Sequence, residues 1–135
     1  MGHQDPARAD GRRVLYVEDS PADLALVEEV LRTGGIPVAL ERVGDGEDAL
    51  TRIRESPPDL VLLDLRLPRL DGVSVVERLR ADPRASVRRT PVVVLSSSAE
   101  PDDIGRAYDA GANCFLDKPI GFEAFSRAVA AIVSL

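Results

Sequence analysis

The stretch Leu60-Val61-Leu62-Leu63-Asp64-Leu65-Arg66-Leu67-Pro68 decides the architecture of this chain. Its first four residues are apolar without polar alternation and too few for a core helix, so they read as a strand covered on both faces. Asp64 then stands at the rim of that buried layer, because an unpaired charge inside it would be costly. Working outward, Val14-Leu15-Tyr16-Val17 and Val92-Val93-Val94-Leu95 have the same character, while residues 36–40 and Cys114-Phe115-Leu116 supply two further short runs.

Helical patterns fill the intervals. Ser20-Pro21-Ala22-Asp23 offers a capping hydroxyl, a proline at the first helical position and an acid three residues on; Leu24, Val27, Val30 and Leu31 follow at helical spacing, and Gly34-Gly35 stops the helix. A second helix is predicted over about residues 47–55 with Ala49, Leu50 and Ile53 inward, and ends before Pro57-Pro58. A third spans about residues 72–81 through Val73, Val76 and Leu79. Ser97-Ser98-Ala99-Glu100 resembles a capping box ahead of a short fourth helix with Ile104, Ala107 and Tyr108 on its inner face. Phe122, Phe125, Val129, Ile132 and Val133 mark the last helix. Five strands alternating with five helices predict a doubly wound α/β domain with a five-stranded parallel sheet in the order 2-1-3-4-5 and helices on both faces.

The 135 residues suit one domain, read as residues 13–135 after a disordered polar leader over residues 1–12. Of 17 basic residues Lys118 is the one lysine, leaving sixteen arginines, and 23 acids bring the net charge to −6, which argues against nucleic acid or an anionic membrane as partner. One Cys and one His exclude an internal disulfide, a Cys-clustered zinc site and a His-rich metal site. No stretch has the ~20 apolar residues of a membrane span and the start lacks a signal peptide, so a cytoplasmic protein is expected.

In open sheets of this order ligands bind beyond the carboxyl ends of the strands. Glu18 and Asp19 follow the first strand, Asp64 the third, Ser96 ends the fourth, and Lys118-Pro119 follows the fifth. Any one acid beside a strand end is ordinarily a solvated turn residue, but five matched groups at one edge are not explained that way. Two like charges ~4 Å apart repel by about 4 kcal/mol at an effective dielectric of ~20, so the three carboxylates need a positive partner. Lys118 offsets part, and an oxygen-lined, water-open site suits Mg²⁺, with Mn²⁺ as a substitute. Asp19 and Asp64 are the expected direct ligands, Glu18 lies farther out, and Arg66 adds its backbone carbonyl. A carboxylate beside a cation, an ammonium and a hydroxyl suits phosphoryl transfer. There is no phosphate-cradling glycine loop, since Gly44-Asp45-Gly46 fits no such pattern, and Asp64 becomes the candidate nucleophile.

The set Glu18-Asp19, Asp64, Ser96 and Lys118-Pro119 on this βα order resembles the receiver domain of two-component response regulators, the CheY-like family, over residues 13–135. The resemblance implies a flavodoxin-like (βα)5 fold and phosphoryl transfer from a sensor histidine kinase onto Asp64. Glu18, Asp19, Asp64 and the Arg66 carbonyl would hold Mg²⁺, Ser96 would hydrogen-bond the phosphoryl group, and Lys118 would pair with it. Phe115 matches an aromatic switch position, though a core aromatic on the last strand explains it equally well. The Lys118-Pro119 bond is expected to be cis, as is usual in the family, and Arg66 and Ser98 to tune the lifetime of the phosphorylated state. Glu18-Asp19-Ser20-Pro21-Ala22-Asp23, Ala81-Asp82-Pro83 and residues 106–115 look closest to small stand-alone regulators paired with phytochrome-type kinases, although the aromatic tail common in that subgroup is absent after Val133-Ser134-Leu135. With no output domain after the last helix, the signal is expected to pass by protein contact, through a homodimer face made by the fourth predicted helix, the fifth strand and the last helix. Beyond its own phosphorylation and slow autodephosphorylation the chain is not expected to be an enzyme. Three alternatives stay open: a metal-dependent phosphohydrolase with an aspartyl-phosphate intermediate, disfavoured by Arg66 where a second acid is usual; a receiver-like binding module that is not phosphorylated; and a flavin binder, disfavoured by two Tyr, three Phe and no Trp.

Overall fold

The computed structural model describes residues 12–35, 37–96 and 100–117, together with Ala124, Arg127, Ala128, Ala130 and Ala131. Strands β1 (Arg12–Val17), β2 (Val38–Val43), β3 (Leu60–Leu63), β4 (Val92–Ser96) and β5 (Cys114–Asp117) form one parallel sheet in the order β2-β1-β3-β4-β5. The helices are α1 (Pro21–Thr33), α2 (Gly46–Glu55), α3 (Gly72–Arg80), the short α4 (Ala85–Arg88) and α5 (Pro101–Ala110). The predicted strand order is the observed one.

The unbroken apolar runs are buried on both sides because the sheet separates two cores. Leu15, Val17, Val61, Leu63, Val92 and Val94 pack with Leu50 and Ile53 of α2, Val76 and Leu79 of α3, Val87 of α4 and Ala107 of α5. On the opposite face Val14, Tyr16, Leu60, Leu62, Val93 and Leu95 pack with Val27, Val30 and Leu31 of α1. Each fully buried aliphatic side chain contributes about 1.5–3 kcal/mol relative to exposure.

Side-chain caps fix three helix starts. Ser20 Oγ accepts from the Asp23 N–H at 3.3 Å, Asp45 Oδ1 from the Asp48 N–H at 2.8 Å and Asp71 Oδ1 from the Ser74 N–H at 2.9 Å. The capping-box expectation for α5 is not met: Glu100 is its N-cap and makes no side-chain cap bond, and the helix begins on Pro101. Tyr108 does not face the core either. It is 48% exposed, and its hydroxyl accepts a hydrogen bond from the Phe115 N–H at 3.1 Å.

Boundaries also moved. β1 includes Arg12, one residue inside the expected leader. β2 runs past residue 40 through Glu41 and Arg42, since it pairs only with β1 and can place charged side chains in water. The last predicted helix falls mostly outside the described residues, as do Phe122, Phe125, Val129, Ile132 and Val133; the five alanine and arginine positions that are described there are helical. Among the described residues no helix is long and apolar enough to cross a membrane.

Candidate phosphorylation site

Glu18, Asp64 and Ser96 meet at the carboxyl edge of the sheet because each directly follows or ends a central strand. The Glu18 N–H donates to the Val43 carbonyl at 3.0 Å and the Asp64 N–H to the Val17 carbonyl at 3.1 Å, so the β1–β2 ladder runs up to Glu18 and the β1–β3 ladder up to Asp64. Ser96 pairs in register with Asp117, the residue before Lys118. All three are buried, at 2%, 8% and 1% exposure, whereas Asp19 is exposed. Lys118, the Lys118-Pro119 bond and Ser98 lie outside the described residues.

The carboxylates are differently held. Glu18 accepts from the Tyr16 hydroxyl at 3.3 Å and from the Ser20 N–H at 3.3 Å. Asp64 Oδ1 accepts from the Arg66 N–H at 3.0 Å. Asp19 lines a cleft of about 510 Å³ with Leu65, Arg66, Leu67, Asp71, Asp103 and Arg106.

Among the described residues no three His, Cys, Asp or Glu side chains converge as a closed metal cage. The donor chemistry still fits a hard, partly hydrated cation: Asp19 is exposed on the cleft, Asp64 directly precedes Leu65 and Arg66 of its lining, and Mg²⁺ typically takes one or two carboxylates and keeps several waters.

Two charged residues at the mouth escaped the sequence reading. Arg66 Nη2 stands 3.3 Å from Asp103 Oδ2, and Arg106 Nη1 stands 3.6 Å from Asp103 Oδ1. The crevice rule could have found Asp103, because α5 starts beyond the carboxyl end of β4. Phe115 is partly buried and packs against the larger of the two cores.

Residues 14–130 match the family model for the response regulator receiver domain. The chain therefore belongs to the receiver domain family of response regulators. It is similar to the response regulator Rcp1 of Synechocystis sp., at 41% identity over 112 residues that cover 78% of this chain and 75% of Rcp1. A gliding motility regulatory protein of Myxococcus xanthus is 40% identical over 127 residues, 93% of this chain but only 16% of that much longer protein. In three dimensions the chain resembles the phosphorylated cyanobacterial phytochrome response regulator RcpA, with a TM-score of 0.81, 37% identity and coverage of 90% of both chains. The Mn²⁺-bound form of Rcp1 also gives a TM-score of 0.81, at 36% identity, covering 92% of this chain and 93% of that one. The receiver reading is thus favoured over the phosphohydrolase and the flavin binder.

Proposed function

We propose that this chain acts as a response regulator receiver that takes a phosphoryl group onto Asp64. The observation that carries the reading is the placement of Asp64 at the end of β3, where its backbone N–H is tied to Val17 and its Oδ1 to the Arg66 N–H, beside a cleft that also carries Asp19. A carboxylate oxygen of Asp64 attacks the phosphorus of a phosphohistidine donor. The P–N bond breaks, its electron pair returns to the imidazole, which takes a proton from solvent, and Asp64 is left as an acyl phosphate. Asp19, Asp64 and the Arg66 carbonyl would hold Mg²⁺ or Mn²⁺, with Glu18 behind them steering the loop through Ser20. When bound, the cation offsets the charge on the transferred oxygens. Ser96 donates its hydroxyl hydrogen to the new phosphoryl group and Lys118 pairs with it. In slow autodephosphorylation water attacks the phosphorus, the P–O bond to Asp64 breaks, and inorganic phosphate leaves; no other substrate is turned over.

The donor we propose is a sensor histidine kinase of phytochrome type, a reading supported by the likeness to Rcp1 and RcpA. Output passes through protein contacts in the cytoplasm, by way of a homodimer on the face of α5, β5 and the last helix, with Phe115 as the aromatic that responds to Ser96. Neither nucleic acid nor membrane is a partner in this scheme.

Acetyl phosphate with Mg²⁺ provides the test. Intact mass should show one phosphoryl adduct on the wild type, labile to alkali, and none on Asp64→Asn. An unmodified wild type, or the same adduct on the variant, overturns the assignment.

A further inference from the structure

Helix α5 is lightly fastened for a helix of ten residues. Ala107 is its buried residue, its N-cap makes no side-chain bond, and Gly105 sits mid-helix with nothing near its missing Cβ. A glycine there weakens the helix, and one alanine anchors little apolar surface. Polar ties therefore weigh heavily in α5. At its far end Tyr108 accepts from the Phe115 N–H, and at its first turn Asp103 pairs with Arg66. Arg66 is also the residue whose backbone N–H donates to Asp64 Oδ1 at 3.0 Å. One residue thus touches the phosphoacceptor with its main chain and α5 with its side chain.

We propose that Arg66 and Asp103 form an ion-pair strap holding the first turn of α5 against the Asp64 loop, and that charge added at Asp64 loosens it. The proposal rests on the reading of Asp64 as phosphoacceptor. Phosphorylation adds roughly −1.5 to −2 of charge and three acceptor oxygens. A guanidinium fork matches phosphate geometry, so the new group competes with the single carboxylate of Asp103 for Arg66. Arg66 is free to swing, its side chain being 66% exposed, while Asp103 is held at 17%. The same new charge repels Asp103 across the cleft, which acts in the same direction. Arg106, one turn along α5, stays beside Asp103, so releasing Arg66 leaves no isolated carboxylate. Asp103 is on this account a positioning residue, acting on the site through Arg66.

Amide hydrogen exchange over residues 101–110 of the full chain, read by mass spectrometry with and without acetyl phosphate and Mg²⁺, tests this. Wild type should exchange about 1.4- to fivefold faster once phosphorylated, the range set by losing one surface ion pair. Asp103→Asn should exchange that fast without phosphorylation and gain little from it, and Asp103→Glu should restore the dependence. Slow, wild-type-like exchange in unmodified Asp103→Asn overturns the strap. A full phosphorylation response persisting in Asp103→Asn overturns the coupling. If intact mass shows that wild type takes no phosphoryl group, the reading of Asp64 as phosphoacceptor falls and the release with it, whereas the unmodified pair of proteins still decides whether Asp103 holds α5.

Discussion

Gly72 shows how tightly single residues constrain the loop that carries Asp64. A Cβ at this position would lie 2.6 Å from the Asp64 carbonyl oxygen and 2.8 Å from Leu65 Cα, and the Gly72 N–H donates to the Leu65 carbonyl at 2.9 Å. Gly46 does the same from the other side, where a Cβ would come within 2.0 Å of the Leu70 carbonyl oxygen. The loop between β3 and α3 is clamped backbone to backbone at two points, and only residues without side chains permit it. Gly72→Ala is expected to lose about 1–3 kcal/mol by overpacking and to accept a phosphoryl group more slowly; urea denaturation and the acetyl phosphate time course measure both. Unchanged values would mean that the loop absorbs a methyl group. At this scale the acids and Ser96 were legible in the sequence because they follow strands, and strand ends are set by chain order. The glycine clamps and the Arg66–Asp103 pair were not, because they depend on how separate loops approach one another, which local pattern does not encode.

Among the elements, the runs that lack alternation were placed well and the half-exposed ones poorly. β3 and β4 are buried throughout, so hydrophobicity marks them directly; β2 mixes Glu41 and Arg42 into its pairing and hides its true end. α4 was missed altogether, being four residues long with Val87 as its buried anchor. It is set by Asp82, whose Oδ1 accepts from both the Arg84 N–H at 2.9 Å and Arg84 Nε at 3.1 Å, while Arg54 of α2 approaches Oδ2 at 3.3 Å. The Arg84 side chain, then its backbone N–H, and the nearby charges of Arg84 and Arg54 bring the Asp82 carboxyl from its ordinary 3.8 down to about 2. A carboxyl lowered on folding contributes stability above its unfolded value and loses it as pH falls through the folded one. The margin of wild type over Asp82→Asn in melting temperature should therefore be full above about pH 4 and shrink toward pH 2. A margin that stays constant across that range removes Asp82 as the cause. Arg80 braces the same end by donating to the carbonyls of Gly111, Arg88 and Thr90 and to Asn113 Oδ1, a partly buried guanidinium whose pKa burial lowers.

Over the whole molecule the acids at the carboxyl end of the strands are only partly matched by Arg66 and Arg106. Asp19, Asp64, Asp71 and Asp103 gather at the carboxyl end, while Arg54, Arg80, Arg84 and Arg88 are engaged with carbonyls and Asp82 at the other. With a net charge of −6, a cation at the acidic end relieves self-repulsion as well as filling a site. Mg²⁺ at ten times its Kd should stabilise the fold by about 1.4 kcal/mol, on the order of 3–5 °C in Tm; Asp19→Asn should abolish the rise. An equal rise in the variant would place the binding elsewhere. The outer margin of the sheet carries a separate consequence. β2 offers one unpaired flank, and its two consecutive charges are both engaged within the molecule, Glu41 by Arg52 and Arg42 by the Glu18 carbonyl. A strand from another molecule that zipped onto that flank would have to disrupt or bury these charges. The fold thereby discourages ribbon-like polymerisation along β2, a safeguard at the margin of the sheet opposite β5.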